Sequence, residues 1–303
     1  MKDDSYHIPV LLHVATDALI NDVNGNYVDV TFGGGGHSSR ILELLEAGKL
    51  ISFDHDDDAF VNQINDDRFQ LVRQNFRNIQ NVLEANDFGL ANGILADLGV
   101  SSYQFDRPER GFSFRFDARL DMRMNKGLEL TAFEVVNDYS ESQLQEILIR
   151  YGEFRRSESL KVVERIAEKR SSNPIESTFQ LTECVDYLVP VKVRNQFLAR
   201  VFQAIRIEVN QEMSALVDFL SQLQNCLLPG GVVVIITYHS LEDRLVKNYF
   251  KTGNIDGVLD KDFYGVISRP FSLVNKKPIV PNYDEIKENP RARSAKLRIA
   301  KMN

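Results

Sequence analysis

Four consecutive glycines, Gly33 to Gly36, stand between a short apolar run and an amphipathic one, which restricts the chain to folds where a strand turns directly into a helix. Tyr27, Val28, Val30 and Phe32 supply the strand, and Ile41, Leu42, Leu44 and Leu45 recur at helical spacing. A turn without side chains lets a ligand approach the backbone, and amides at a helix start favour an anionic or hydroxylated partner. Glycine runs also serve as plain turns, and this one misses the spacing of the dinucleotide fingerprint. A second residue favours a ligand. Asp54 closes Leu50-Ile-Ser-Phe-Asp54, roughly 20 residues past the glycines, where nucleotide folds place a carboxylate that accepts hydrogen bonds from ribose hydroxyls. His55 and the run Asp56 to Asp58 are expected to open the next helix, where acids complement the dipole.

From Tyr27 to Leu98 strands and helices alternate. The strands are Tyr27 to Phe32, Leu50 to Asp54, Phe69 to Arg73 and Asn92 to Leu98, which builds a parallel sheet. From about Thr131 to Asn210 the texture is helical, with apolar stripes at Leu144, Ile147, Leu148 and Tyr151, at Leu160, Val163, Ile166 and Ala167, and at Phe197, Leu198, Val201, Phe202 and Ile205. Sheet character resumes at Gly230 to Thr237, an aliphatic run suited to a strand buried on both faces. That strand covers an edge the first four would leave open, so a helical insertion interrupts one α/β domain. The predicted division is 1–105 with 211–303 for the sheet domain and 106–210 for the insertion. Ser294 to Lys301 is predicted as a final edge strand, after an irregular excursion from Lys251 to Asn289.

The chain has 303 residues, 43% of them hydrophobic, enough for a large core. Cys184 and Cys226 have no metal-ligand spacing and no disulfide framework, and are read as structural; His7 and His13 are read as local structure. No signal-peptide core and no apolar run of membrane length is present, so the expected location is cytoplasmic. The formal charge of -7 argues against a protein that coats polyanions generically. Local basic clusters remain. Arg107, Arg110, Arg115, Arg119 and Arg123 are interleaved with Phe105, Phe112, Phe114 and Phe116, and Arg291, Arg293, Lys296 and Arg298 lie near the C-terminus. Such a mixture either grips phosphates and stacks bases or is a solvated loop with its rings in the core.

Ligands of open α/β sheets gather at the carboxyl ends of the strands. There the glycine loop and Asp54 would meet Asp97-Leu-Gly-Val-Ser-Ser102 and Thr237-Tyr-His-Ser-Leu-Glu-Asp-Arg244. Asp97, Ser101 and Ser102 are either an ordinary turn or the reactive end of the site. Ser240 stands where a helix N-cap is expected, and no nucleophile-elbow sequence surrounds it.

Eight segments in chain order carry a resemblance: His7-Ile-Pro-Val-Leu-Leu12, Thr31-Phe-Gly-Gly-Gly-Gly-His-Ser38, Asp97-Leu-Gly-Val-Ser-Ser102, Glu109-Arg-Gly-Phe-Ser-Phe114, Leu120-Asp-Met-Arg-Met124, Phe202-Gln-Ala-Ile-Arg-Ile207, His239-Ser-Leu-Glu-Asp-Arg244 and Asn289-Pro-Arg-Ala-Arg-Ser294. Together they resemble the RsmH (MraW) family, bacterial enzymes that methylate N4 of cytidine 1402 in 16S ribosomal RNA. The resemblance implies an α/β fold of the class I S-adenosylmethionine-dependent methyltransferase type, Rossmann-like with helices on both sheet faces, and an inserted helical domain that helps hold RNA. It places Gly35, Gly36 and His37 at S-adenosylmethionine, Asp54 at its ribose, Phe76 on the adenine side, and Asp97 and Gln104 towards the methionine and substrate. Some relatives carry an arginine within the glycine loop where this chain has Gly34, which removes one side-chain contact.

A cytosine amine shares its lone pair with the ring, so acceptors aimed at its hydrogens assist attack on the methyl group. Asp97, or backbone carbonyls just after it, is the expected acceptor, with Ser101, Ser102 and His239 positioning the base. Arg110, Arg115 and Arg123, with Arg291 and Arg293, are expected to grip phosphates. The implied partner is 16S rRNA in the small ribosomal subunit, with no membrane and no metal; a homodimer is allowed. The alternatives are a non-catalytic RNA-binding ribosome-assembly factor and, behind it, a nucleotide-dependent oxidoreductase.

Overall fold

The computed structural model describes residues 9–259, 261, 264–265 and 269–303, with only the backbone at Ser102. His7 and Ile8, the start of the first family segment, lie outside the described residues, as do 260, 262, 263 and 266–268 of the expected irregular excursion. Among the described residues no helix is long and apolar enough to cross a membrane.

The described strands are β1 (Asn26–Asp29), β2 (Lys49–Asp54), β3 (Phe69–Arg73), β4 (Ala91–Asp97), β5 (Leu227–Thr237), β6 (Phe271–Leu273) and β7 (Lys296–Met302). The helices are α1 (Leu12–Leu19), α2 (Gly36–Leu44), α3 (Ile79–Ala85), α4 (Ser102–Asp106), α5 (Ala132–Asp138), α6 (Glu141–Arg150), α7 (Arg156–Ser172), α8 (Thr178–Val185), α9 (Val191–Asn210), α10 (Glu212–Cys226), α11 (Ser240–Thr252) and α12 (Tyr283–Glu288). Two compact units result, Met1–Gly99 with Met213–Asn303 and Val100–Glu212. Residues 100–105 and 211–212 thus group with the helices, not with the sheet as the predicted boundaries had them.

In the first unit the strands form one sheet in the order β3-β2-β1-β4-β5-β7-β6. β1 to β5 run parallel, and β7 and β6 are antiparallel. This is the doubly wound class I methyltransferase architecture, with the order reversing beside β1. Strand alternation sorts the core. Val233 and Ile235 of β5 join Ile94, Ile51 and Phe53 under α3, α10 and α11, while Val232, Val234 and Ile236 join Tyr27, Leu50 and Leu95 under α1 and α2.

β5 pairs with β4 as expected, Asp97 opposite Ile236, but starts at Leu227, before the predicted Gly230. Three other elements differ from expectation. The segment after β2 is a 3-10 helix, Asp57–Asn62, with the Asp56 side chain accepting from the Asp58 amide. β7 is not an edge, because β6 pairs along its outer side. β6 arises inside the stretch expected to be irregular; three residues are too few to show alternation, and only Phe271 of them is buried.

The second unit closes over its own core, drawn from Phe112 through Val209. Ser101, Thr131 and Ser140 open α4, α5 and α6 with reciprocal capping boxes to Gln104, Glu134 and Gln143. Between α4 and α5 the chain has a 3-10 turn at Pro108–Arg110 and an isolated bridge from Arg119 to Ser177, and α9 supplies partners for the stretch that follows. Asn210 is 6% exposed; its Oδ1 accepts the Met124 amide at 2.7 Å and its Nδ2 donates to the Met122 carbonyl at 2.8 Å. Asn210→Ala should therefore destabilise the protein by about 2–4 kcal/mol, the cost of two buried polar groups left unpaired. Urea unfolding followed by far-UV circular dichroism measures it, and a loss near zero would mean that the loop is held by other contacts.

Candidate cofactor and active site at the strand tips

β1 ends at Asp29, yet the chain stays bound to its neighbours while it climbs out of the sheet. The Val30 amide donates to the Leu95 carbonyl and the Phe32 amide to that of Phe53, both at 2.9 Å. Gly35 then adopts φ +79°, where a Cβ would come within 2.9 Å of the Phe32 ring, and a Cβ on Gly36 would come within 2.1 Å of Pro9. These contacts explain both glycines: the turn is left-handed and α2 is pressed against the incoming chain. At Gly34 a Cβ would meet open space, so the missing side chain there is not enforced by packing. No side chain caps α2, which leaves its first turn to a ligand or to water.

A buried polar cluster supports the loop. Asp29, fully buried, accepts the Thr31 amide at 3.1 Å through Oδ1 and the Ser38 hydroxyl at 2.6 Å through Oδ2. The Ser38 and Ser52 hydroxyls are 2.9 Å apart, and Thr31 Oγ1 accepts the Asp97 amide at 2.7 Å. Burial pushes the Asp29 carboxyl up, while the Ser38 and Thr31 donors oppose the shift. The sequence reading passed over Asp29 and Thr31 as site-building residues; the available signal was an acid in a strand otherwise buried on both faces.

Asp54, at the end of β2, accepts the Gly33 amide at 2.8 Å through Oδ2 and the Asp56 amide at 2.8 Å through Oδ1. A carboxylate has about four acceptor positions, so lone pairs remain for a vicinal diol. Burial pushes this carboxyl up, opposed by the two amides. Phe76 opens the short helix after β3 and meets Phe219 of α10 edge-on, centroids 5.5 Å apart.

Asp97 ends β4 with its side chain 21% exposed. Its Oδ1 accepts the Tyr238 hydroxyl at 2.8 Å, and its Oδ2 lies 3.8 Å from His37 Nδ1, beyond hydrogen-bond length. His37 Nε2 is 3.2 Å from the Val10 carbonyl, which only accepts, so Nε2 carries the proton. Burial pushes the imidazole down, and its neutral form turns a lone pair towards Asp97. Burial, reinforced by Asp29 and Glu242, pushes the Asp97 carboxyl up to about 6, opposed by the positive charge that His37 carries when protonated and by the Tyr238 hydroxyl. Hence Asp54 is bonded to the glycine loop through Gly33, and Asp97 lies beside His37 at the start of α2.

Several other expectations are corrected. His239, not Ser240, is the N-cap of α11: its Nδ1 accepts from the Glu242 amide while Glu242 Oε2 accepts the Tyr238 and His239 amides at 2.8 and 3.2 Å. Gln104 and Ser101, in the helical unit, cap α4: the Ser101 amide donates to Gln104 Oε1 at 3.1 Å and the Gln104 amide to Ser101 Oγ at 3.2 Å. The roles expected for Gln104, Ser101 and His239 as ligand contacts therefore compete with capping. Arg110 is 5% exposed and donates to the Arg123 and Met124 carbonyls, both at 2.9 Å. Arg123 pairs with Asp121 at 2.8 Å and donates to the Lys126 and Leu128 carbonyls. Both arginines hold their loop together and are not available to phosphates. Arg115, Arg291 and Arg293 are exposed. Of the interleaved aromatics, Phe112 is buried and Phe105 and Phe114 pack against the helical core, which leaves Phe116, 47% exposed. Burial pushes the Cys184 and Cys226 thiols up to about 11 and about 12, which keeps both protonated.

A model of the MraW methylase family matches residues 4–303. The chain is 52% identical over 300 residues to the ribosomal RNA small subunit methyltransferase H of Bacteroides fragilis (strain YCH46), covering 99% of this chain and 98% of that protein. It is 52% identical over 296 residues to the protein of the same name in Flavobacterium johnsoniae, covering 97% of each. Among solved structures it is similar to an rRNA methylase from Streptococcus thermophilus, with 11% identity, a TM-score of 0.43, and coverage of 97% of this chain and 98% of that one. The chain belongs to the MraW methylase family, whose members are S-adenosylmethionine-dependent methyltransferases.

Proposed function

We propose that this chain methylates the N4 exocyclic amine of cytidine 1402 in 16S ribosomal RNA. The observation that carries the reading is the Asp97 carboxyl, an acceptor at the tip of β4 beside the glycine-loop helix. The names of the curated relatives support small-subunit ribosomal RNA as the substrate.

The residues present fit S-adenosylmethionine. Asp54 keeps acceptor positions for the ribose hydroxyls, the first turn of α2 has no side-chain cap, and the space at Gly34 is open. Phe76 supplies an apolar ring for the adenine side. The cofactor when bound supplies a methyl group on a positively charged sulfur, already electrophilic. What remains for the chain is to align the amine, exclude water and handle one proton. Asp97 accepts an N–H of the amine, which draws its lone pair out of conjugation with the ring, and then holds the proton that the amine loses. His37, neutral and bonded to Val10, cannot compete as a donor to Asp97. A cytosine has to leave its stack to reach such a carboxyl, which favours a splayed or single-stranded target. We assign substrate recognition to the helical unit, with Ser102 and Arg115, and to Arg291 and Arg293, the arginines as phosphate contacts.

The direct test mixes purified protein, isotopically labelled S-adenosylmethionine and small subunits from cells lacking the enzyme, with mass spectrometry of 16S rRNA fragments. Label on the base of cytidine 1402 is the expected result. Tight RNA association without label would favour an assembly factor.

Two further outcomes are expected. Asp97 has to be ionised to accept the proton, so turnover should fall about tenfold per pH unit below about 6 and level off above neutrality. The sign for stability is opposite. The folded carboxyl titrates above its unfolded value of 3.8, so its stabilising contribution is complete below about pH 4 and is lost as pH rises through about 6. Asp97→Asn should therefore abolish turnover yet stabilise the fold by roughly 1–3 kcal/mol at pH 8 and hardly at pH 4. Thermal unfolding at the two pH values decides, and equal melting shifts at both would contradict the assignment.

Charge reversal of the exposed arginines is the other. Arg115→Glu, Arg291→Glu and Arg293→Glu should each weaken RNA binding severalfold and flatten its salt dependence, with cofactor affinity unchanged. Filter binding and calorimetry separate the two, and parallel losses would indicate misfolding.

A further inference from the structure

Tyr238 follows β5 directly, in the segment expected at the strand tips, but the sequence assigned it no role there. Its hydroxyl donates to Asp97 Oδ1 at 2.8 Å, and its ring lies 3.5 Å from where a Cβ on Gly99, in the turn after Asp97, would stand. The backbone that carries the ring is held in turn, since the Tyr238 amide donates to Glu242 Oε2 at 2.8 Å. Oδ1 of Asp97 therefore has a fixed donor. Oδ2 has none among the described residues: its neighbour His37 Nδ1, 3.8 Å away, presents a lone pair because the ring proton is on Nε2. The carboxylate is thus made asymmetric by two neighbours of opposite character.

We propose that Tyr238 is a positioning residue for methyl transfer: by donating to Oδ1 it fixes the rotation of the Asp97 carboxylate and reserves Oδ2 as the acceptor for the substrate amine. The inference rests on the reading of Asp97 given above. Tyr238 suits the task because burial, with Asp97, Glu242 and Glu285 around it, raises its own ionisation well above the ordinary tyrosine value. It stays a donor at any pH where the enzyme works. The groups that set the Asp97 charge are His37 on α2, Asp29 on β1, Glu242 on α11 and Tyr238 itself. Of these only Tyr238 forms a hydrogen bond to the carboxylate at normal length, so its loss should be felt by Asp97 more than by the fold.

The experiment reads Asp97 directly. The full chain is labelled with carboxyl-13C aspartate, the Asp97 signal is assigned by its absence in Asp97→Asn, and the signal is titrated in the unmodified protein and in Tyr238→Phe. Removing the hydroxyl should move the Asp97 titration up by about one pH unit, the equivalent of one hydrogen bond. The acidic limb of the pH–rate profile should move with it, and turnover on the plateau should fall about tenfold or more while cofactor affinity and melting temperature change little. Placing 3-fluorotyrosine at 238, a stronger donor of nearly the same shape, should move the titration the other way, and this variant serves if Tyr238→Phe fails to fold. An Asp97 signal that titrates identically in all three proteins overturns the proposal. A titration that moves while the pH–rate limb stays, with Asp97→Asn still active, overturns it differently, because the reading of Asp97 as acceptor has then failed.

Discussion

The site depends on a carboxylate that touches no solvent. Asp29 sits at the end of β1, and its two oxygens hold the Thr31 amide on one side and the Ser38 hydroxyl of α2 on the other. Through Ser38 the contact reaches Ser52 on β2, and through Thr31 Oγ1 it reaches the Asp97 amide on β4. Three strands and the glycine-loop helix are thereby referenced to one residue. An ion in such a place is costly unless its lone pairs are satisfied, so the cluster tolerates few arrangements. That intolerance gives the loop its shape, since a glycine-rich segment left alone would sample many.

Asp97 shows the same physics turned to a different end. Asp29 has a donor on each oxygen, whereas Asp97 has one oxygen bonded and one facing a lone pair. Burial raises both carboxyls, but only the second has an oxygen without a donor among the described residues and contact with solvent. Two acids at neighbouring strand ends, one structural and one proposed as the acceptor, are distinguished by their donors and by the charges around them.

The sheet was readable because its signals are periodic and local. Short apolar runs in β1, β2, β4 and β5 and the glycine turn leave few alternatives, and Asp54 and Asp97 are where strand ends put them. What escaped the sequence depends on direction. An arginine in a basic, aromatic segment looks the same whether it reaches outward, as Arg115 does, or inward to backbone carbonyls, as Arg110 does. Gln104 was placed at the ligand by the resemblance and His239 as a positioning group for the base, yet the helices beginning at Ser102 and Ser240 needed caps, and both side chains take part in them. Tyr238 lay in the segment expected at the site yet carried no assigned role, because its hydroxyl acquires meaning only once β4 and β5 are paired.

The place of the helical unit in the chain bears on how the protein is made. It is encoded between β4 and β5, the two strands whose pairing carries the centre of the sheet. A ribosome synthesising this chain releases β4 long before its partner. Through that interval the edge of a four-stranded parallel sheet is uncovered, while local contacts let the intervening helices fold quickly. The vulnerable species in biogenesis is thus a nascent chain with its helices formed and its sheet half built, and β5 ends that exposure when it leaves the exit tunnel.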